Sequence, residues 1–215
     1  MVFIYFKGML MRKLGNSPLK LLLAMCFSVA FLLPASVYAD FQEGWAAYEN
    51  GDYATAFAEW EPLAEQGGAV AQYNLGSIYD NGQGVLQDDS EAVKWYRLAA
   101  EQGVAQAQSN LGVMYRNGRG VLQDYSEAVK WNRLAAEQGV AQAQSNLGVM
   151  YDNGRGVLQD YAYAHMWFNI AAANGDAIAG ENRQIVADLM TPSQIEQAQE
   201  MARNCLNSGY VDCGD

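Results

Sequence analysis

Between residues 68 and 175, apolar and small side chains recur with helical spacing, two helices to a unit. Ala71, Leu75, Ile78 and Tyr79 fall on one face of a first helix, and Ala92, Trp95, Tyr96 and Ala99 on one face of a second. The unit then repeats with a constant offset of 36 positions. Leu75-Gly76 returns as Leu111-Gly112 and Leu147-Gly148, and Trp95 returns as Trp131 and Trp167. Tyr79, Tyr115 and Tyr151 keep step, and each unit closes on an Ala-Ala pair followed by Gly103, Gly139 or Gly175. A helix of this kind cannot bury its stripe alone, so the pairs must stack on their neighbours, and an all-α solenoid follows.

The polar positions punctuate this pattern. Gly82 and Gly84 stand where the first helix should end on a left-handed residue. Asp88 with Glu91 predicts a capping box for the second helix, repeated by Asp124 and Glu127. The third copy has Tyr163 in place of the acid, so the box is expected to be lost there. Gly76, Gly112 and Gly148 lie inside helices, where glycine costs up to about 1 kcal/mol relative to alanine. Their recurrence predicts a packing reason. Residues 103 to 125 match 139 to 161 at every position except Arg116 against Asp152, which reads as duplication. Asn132 occupies the position of Tyr96 and Phe168, so it must find a hydrogen-bond partner or stay exposed.

The recurring pattern A-x-x-x-L-G-x-x-Y-x-x-G-x-G-V, then D, then A-x-x-W-x-x-x-A-A-x-x-G, resembles the Sel1-like repeat, a longer relative of the tetratricopeptide repeat. The resemblance implies a right-handed α-solenoid of stacked helix-turn-helix pairs, with repeats at 68–103, 104–139 and 140–175. A shorter unit at 40–67, with Gly51-Asp52-Tyr53 but no Gly-x-Gly-Val insertion, reads as an N-terminal capping repeat. Residues 176–215, with the helix start Thr191-Pro192-Ser193-Gln194, read as a C-terminal capping pair of helices. Bacterial members of the family act as adaptors, so the expected function is a scaffold for a protein or peptide partner, not an enzyme. Some cysteine-rich members are associated with β-lactam binding, but the in-repeat cysteine pairs are missing here, and there is no S-x-x-K motif. Recognition of peptidoglycan or another glycan is the alternative binding function.

The N-terminus modifies the picture of where this happens. Lys7, Arg12, Lys13 and Lys20 precede an apolar run from residue 21 to 33, followed by Ser36-Val37-Tyr38-Ala39. That order predicts a secretory signal peptide over 1–39, cleaved after Ala39, with Met11 as an alternative start. The run is shorter than the roughly 20 residues a membrane span needs, so no stable membrane insertion is expected after cleavage. The protein is expected to be periplasmic or secreted, and a monomer. The whole chain carries −11, and removal of the leader leaves nine basic against 24 acidic residues, or −15. Such a charge disfavours nucleic acid. Cys205 and Cys213 remain as an even pair bound for an oxidising compartment, which predicts a disulfide.

Catalytic chemistry is hard to find. His165 replaces Val93 and Val129 on a second helix and reads as a packed structural residue, with no Cys or His at metal-ligand spacing. Residues 80 to 91 run from Asp to Glu like a calcium loop, but Gly82, Gly84 and Val85 fall where oxygen ligands and a turn glycine belong. No cofactor or metal is expected. The recurring aromatics Trp95, Trp131, Trp167, Tyr79, Tyr115 and Tyr151 are expected on the buried stripes, while Tyr73, Tyr125 and Tyr161 are less committed.

A partner therefore falls to the remaining face of the first helices. Tyr73, Ser77 and Asp80 lie at i, i+4 and i+7, apart from the packing stripe. Their counterparts are Ser109, Val113 and Arg116, then Ser145, Val149 and Asp152. First helices line the concave side in related repeats, so these positions are expected to face one groove. Asn74, Asn110 and Asn146 beside them are expected to hold a ligand backbone. Arg116, between Asp80 and Asp152, either pairs internally or anchors an acidic group.

Overall fold

The computed structural model describes residues 35–211 and 213, with side chains from residue 41, and the regular elements among them are all helices. The predicted leader lies outside the described residues as far as 34. The first helix, α1 (Ala35–Glu49), includes the expected cleavage point. Then come α2 (Tyr53–Glu65), α3 (Ala69–Asn81), α4 (Asp89–Glu101), α5 (Ala105–Asn117), α6 (Tyr125–Ala136), α7 (Ala141–Asn153), α8 (Tyr161–Ala173), α9 (Ala179–Ala187) and α10 (Pro192–Asn207). The helices α3–α4, α5–α6 and α7–α8 are the repeat pairs, and each second helix packs on the first helix of the next pair. The result is an α-solenoid of stacked helix pairs. Residues from Glu43 onward belong to one compact unit.

The predicted stripes form the core. Leu75, Ile78, Tyr96, Ala99, Leu111 and Trp167 are buried, with Trp95 and Trp131 nearly so. Gly82, Gly118 and Gly154 end the first helices in the left-handed region. The in-helix glycines have the packing reason their recurrence implied. A Cβ on Gly76 would stand 2.5 Å from the Tyr96 ring, and one on Gly148 2.6 Å from Phe168; one on Gly112 would strike Asn132. The second glycine of each loop makes another close approach. Gly84, Gly120 and Gly156, all at positive φ, lie against the backbone at Tyr53–Ala54, Asp89–Ser90 and Tyr125–Ser126, the start of the preceding second helix. Glutamines bind the units on the other side. Gln72, Gln108 and Gln144 donate to the carbonyls of Ala64, Ala100 and Ala136 at 3.0 to 3.1 Å, and accept from Gln102, Gln138 and Asn174.

Two expectations need correction. Asp88 and Asp124 cap their helices through the N–H groups two and three residues on, but the reciprocal half of the box is absent. Their own N–H groups are already donated to the carbonyls of Tyr79 and Tyr115, at 3.1 and 3.0 Å. Glu91 and Glu127 instead pair with Lys94 and Lys130. Because the acid is dispensable, Asp160 caps α8 without one, accepting from Ala162 and Tyr163. The second correction concerns the C-terminal helices, which are not a pair: α9 and α10 both pack on α8 rather than on each other. The chain end closes the glutamine ladder instead. Tyr210 exchanges hydrogen bonds with Asn174 at 2.8 and 3.0 Å, and its ring covers Gly139. Cys205 and Cys213 are joined in a disulfide that holds this segment, and both are buried.

Candidate partner-binding face

The first helices α3, α5 and α7 present their non-stripe residues side by side, because the 36-residue period sets equivalent positions in register. Eight of the twelve expected positions are half-buried: Tyr73, Ser77, Asp80, Asn110, Val113, Arg116, Val149 and Asp152. Asn74, Ser109, Ser145 and Asn146 are buried, between 4% and 6% exposed, and so do not face an open groove. The neighbouring helices cover them.

The polar residues of this face form a relay at each of the two junctions between the three repeats. At the first junction the Tyr96 hydroxyl donates to Asp80 at 3.3 Å and accepts from Asn110, and Arg119 donates to Asp80 at 2.7 Å. Arg119 also pairs with Asp89. Burial, and then the Asp80 charge, push Tyr96 well above the ordinary tyrosine range. Hydrogen bonding to Asp89 is the main reason that Arg119 is held above its ordinary value. At the second junction Arg116 donates to Asn146 Oδ1 at 3.0 Å, and Asn146 Nδ2 donates to Asn132 Oδ1 at 3.0 Å. Asn132, wholly buried, donates to the Ala128 carbonyl at 2.8 Å. Arg155, the counterpart of Arg119, lies over the Tyr125 ring, 5.6 Å from its centroid.

These bonds correct the asparagine expectation: Asn110 and Asn146 are spent on Tyr96 and on Asn132 with Arg116, so they hold the array together rather than a ligand backbone. Arg116 takes the internal of its two expected roles. Asn132 has the partner its chemistry demanded. Of the less committed tyrosines, Tyr73 packs on Tyr96 with centroids 6.0 Å apart, Tyr125 carries Arg155, and the Tyr161 hydroxyl accepts from Gln159 at 3.2 Å.

Sequence reasoning missed the N-terminal end of the face. Gly44 lies against Trp60 as Gly76 lies against Tyr96, which aligns Trp45 with Ser77 and Tyr48 with Asp80. Trp45 is 43% exposed and stacks on Tyr48 at 6.1 Å. Aligning the short unit on its glycine, four residues out of period, would have found it. A second row is also apolar: Leu86, Leu122 and Leu158 project from the loops about 90% exposed.

His165 is buried, and burial, followed by the Arg183 charge, lowers its pKa. Among the described residues no group of three or more His, Cys, Asp or Glu side chains is placed to hold a metal ion, and no helix is long and apolar enough to cross a membrane.

Stacked helix pairs held by inter-repeat hydrogen bonds, with a continuous surface along the first helices, define an α-solenoid repeat protein. The chain belongs to the Sel1 repeat family, whose model matches residues 69–104, 105–140 and 141–176. A solved Sel1 repeat protein from Oxalobacter formigenes is 30% identical and superposes with a TM-score of 0.66 over 80% of this chain and 78% of that one. A protective antigen present in uropathogenic Escherichia coli, with an SLR fold, is 34% identical with a TM-score of 0.62 over 82% of this chain and 44% of the antigen. An exopolysaccharide production negative regulator from Rhizobium leguminosarum bv. viciae is 39% identical over 56 residues, 26% of this chain and 21% of the regulator. The chain thus spans about a fifth of that regulator's length and under half of the antigen's.

Proposed function

We propose that this protein is an exported scaffold whose first-helix face holds a protein or peptide partner in the periplasm or outside the cell. The observation that carries this reading is the row Trp45, Ser77, Val113 and Val149, which runs across four successive units and remains at the surface while Asp80, Asn110, Arg116 and Asn146 beside it are locked in internal hydrogen bonds. Such a face is rigid before a ligand arrives, so little ordering entropy opposes binding. The relatives fit a binding role, since a negative regulator of exopolysaccharide production and a protective antigen are both named for something other than a reaction. Export is supported by the basic, apolar and small-residue order of the first 39 residues and by the Cys205–Cys213 bond, which suits an oxidising compartment.

The test is to pan a displayed random-peptide library on the full chain, and to measure selected peptides against Trp45→Ala and Val113→Glu. Both positions are only partly exposed, so each variant is first shown to be folded by its melting curve and then compared below its transition, where affinity should fall about tenfold or more. Peptides bound equally by both variants would remove the site from this face. Intact-mass measurement of the protein from cell envelope or medium should give a chain beginning at Asp40; retention of residues 1–39 would overturn export.

A further inference from the structure

The three junctions place equivalent residues at the same corner of the face. Asp80, Tyr96 and Asn110 meet at the first, and Arg116, Asn132 and Asn146 at the second; Asp152, Phe168 and Asn182 hold the third. In the first two the charged residue is satisfied from within, by Tyr96 and Arg119 or by Asn146. In the third it is not. Phe168 has no hydroxyl to donate, and the position corresponding to Arg119 and Arg155 is Thr191, whose hydroxyl is occupied in capping α10. The Asp152 carboxylate accepts no hydrogen bond or ion pair from the described residues; only its backbone carbonyl is engaged, by Gln159.

Beside this carboxylate lies a cleft of about 220 Å³, bounded by Val149 and Phe168 of the third repeat and by Asn182, Ile185 and Val186 of α9. We propose that this cleft takes a basic side chain of the partner, an arginine in preference to lysine. The proposal rests on the scaffold reading above and specifies the chemistry of its ligand. The guanidinium can fork onto the carboxylate while a further N–H reaches the Asn182 amide oxygen, and its aliphatic stem has Val149 and Ile185 to lie against. Ile185 is 62% exposed, an apolar wall open to such a stem. The occupant replaces the donor that Tyr96 and Arg119 give Asp80, so the site is completed by the partner instead of by the fold. The net charge of −11 favours approach of a cation.

The test uses the full chain, isotope-labelled, titrated with N-acetyl-L-arginine amide, and with the citrulline analogue as a neutral isostere. Saturable amide shifts should centre on Val149, Asp152, Asn182 and Ile185 with arginine and be at least about tenfold weaker in affinity with citrulline. Asp152→Asn should abolish the response without moving the melting curve, because Asp152 has no partner to lose. Phe168→Tyr should weaken it by supplying the hydroxyl that Tyr96 supplies to Asp80. No localised shift with arginine, or equal affinity in Asp152→Asn, would overturn the subsite. The titration involves no partner protein, so arginine binding without any panned peptide would count against the scaffold alone. Panned peptides held equally by Asp152→Asn would count against the subsite alone.

Discussion

Gly148→Ala is expected to destabilise this protein, although the same change in an unobstructed helix stabilises. Alanine in a helix interior is favoured over glycine by roughly 0.5–1 kcal/mol, because glycine loses more backbone freedom on folding. Against this, the new methyl would stand 2.6 Å from two carbons of the Phe168 ring and 2.9 Å from a third. Carbon atoms in good contact are about 3.5–4.0 Å apart, so the ring would have to retreat by about 1 Å. Phe168 is 2% exposed and has little room to do so. Overpacking of this kind costs about 1–3 kcal/mol. The steric cost outweighs the propensity gain, and a net loss of about 1–2 kcal/mol is expected. Gly180→Ala is the internal control: nothing lies within 4 Å of its Cβ, so it should gain up to about 0.5 kcal/mol. Urea denaturation of both variants decides the matter if the m-value is unchanged and only the midpoint moves. A Gly148→Ala protein as stable as the wild type would refute the idea that the in-helix glycines exist to admit the ring opposite.

Three further outcomes follow from the same packing. Trp131→Ala should cost about 3–5 kcal/mol, since the ring is 8% exposed and its Nε1 donates to Glu127 at 3.0 Å; a loss under about 1 kcal/mol in denaturant would contradict its place in the core. Thiol titration of the denatured chain lacking residues 1–39 should find no reactive cysteine. Reduction should destabilise by about 2–3 kcal/mol and loosen the Tyr210–Asn174 contact, visible as faster amide exchange at Asn174. His165 is held neutral by burial, so its contribution to stability is complete above its unfolded pKa near 6.5 and is lost as pH falls through the lower folded value. Melting temperature should therefore drop more steeply below pH 6.5 in the wild type than in His165→Gln, and parallel curves would show that another group governs the acid limb.

The helices, their pairing and the buried stripes are legible in the chain alone, because they depend on residues within one unit. Leu75, Ile78, Tyr96 and Ala99 lie within a few turns of one another along the chain, and a period of 36 repeats the same local problem and the same answer. The glycine ends and the Asp88, Asp124 and Asp160 caps are local in the same sense. The capping boxes failed because the Asp88 and Asp124 N–H groups are claimed across a loop by Tyr79 and Tyr115, beyond the reach of a motif four residues long.

The state of each polar residue on the first-helix face was decided only by tertiary structure. Arg116, Asp80 and Asp152 look alike as exposed charges near the end of a helix. Their fates differ through residues 16 to 39 positions away: Asn146 for Arg116, and Tyr96 with Arg119 for Asp80. Phe168, which offers Asp152 nothing, is just as far. The asparagines beside them were drawn inward for the same reason. A period reveals that equivalent positions exist, but whether a charge there is satisfied depends on the donor or acceptor that the neighbouring unit places against it. That choice is settled only when the units stack.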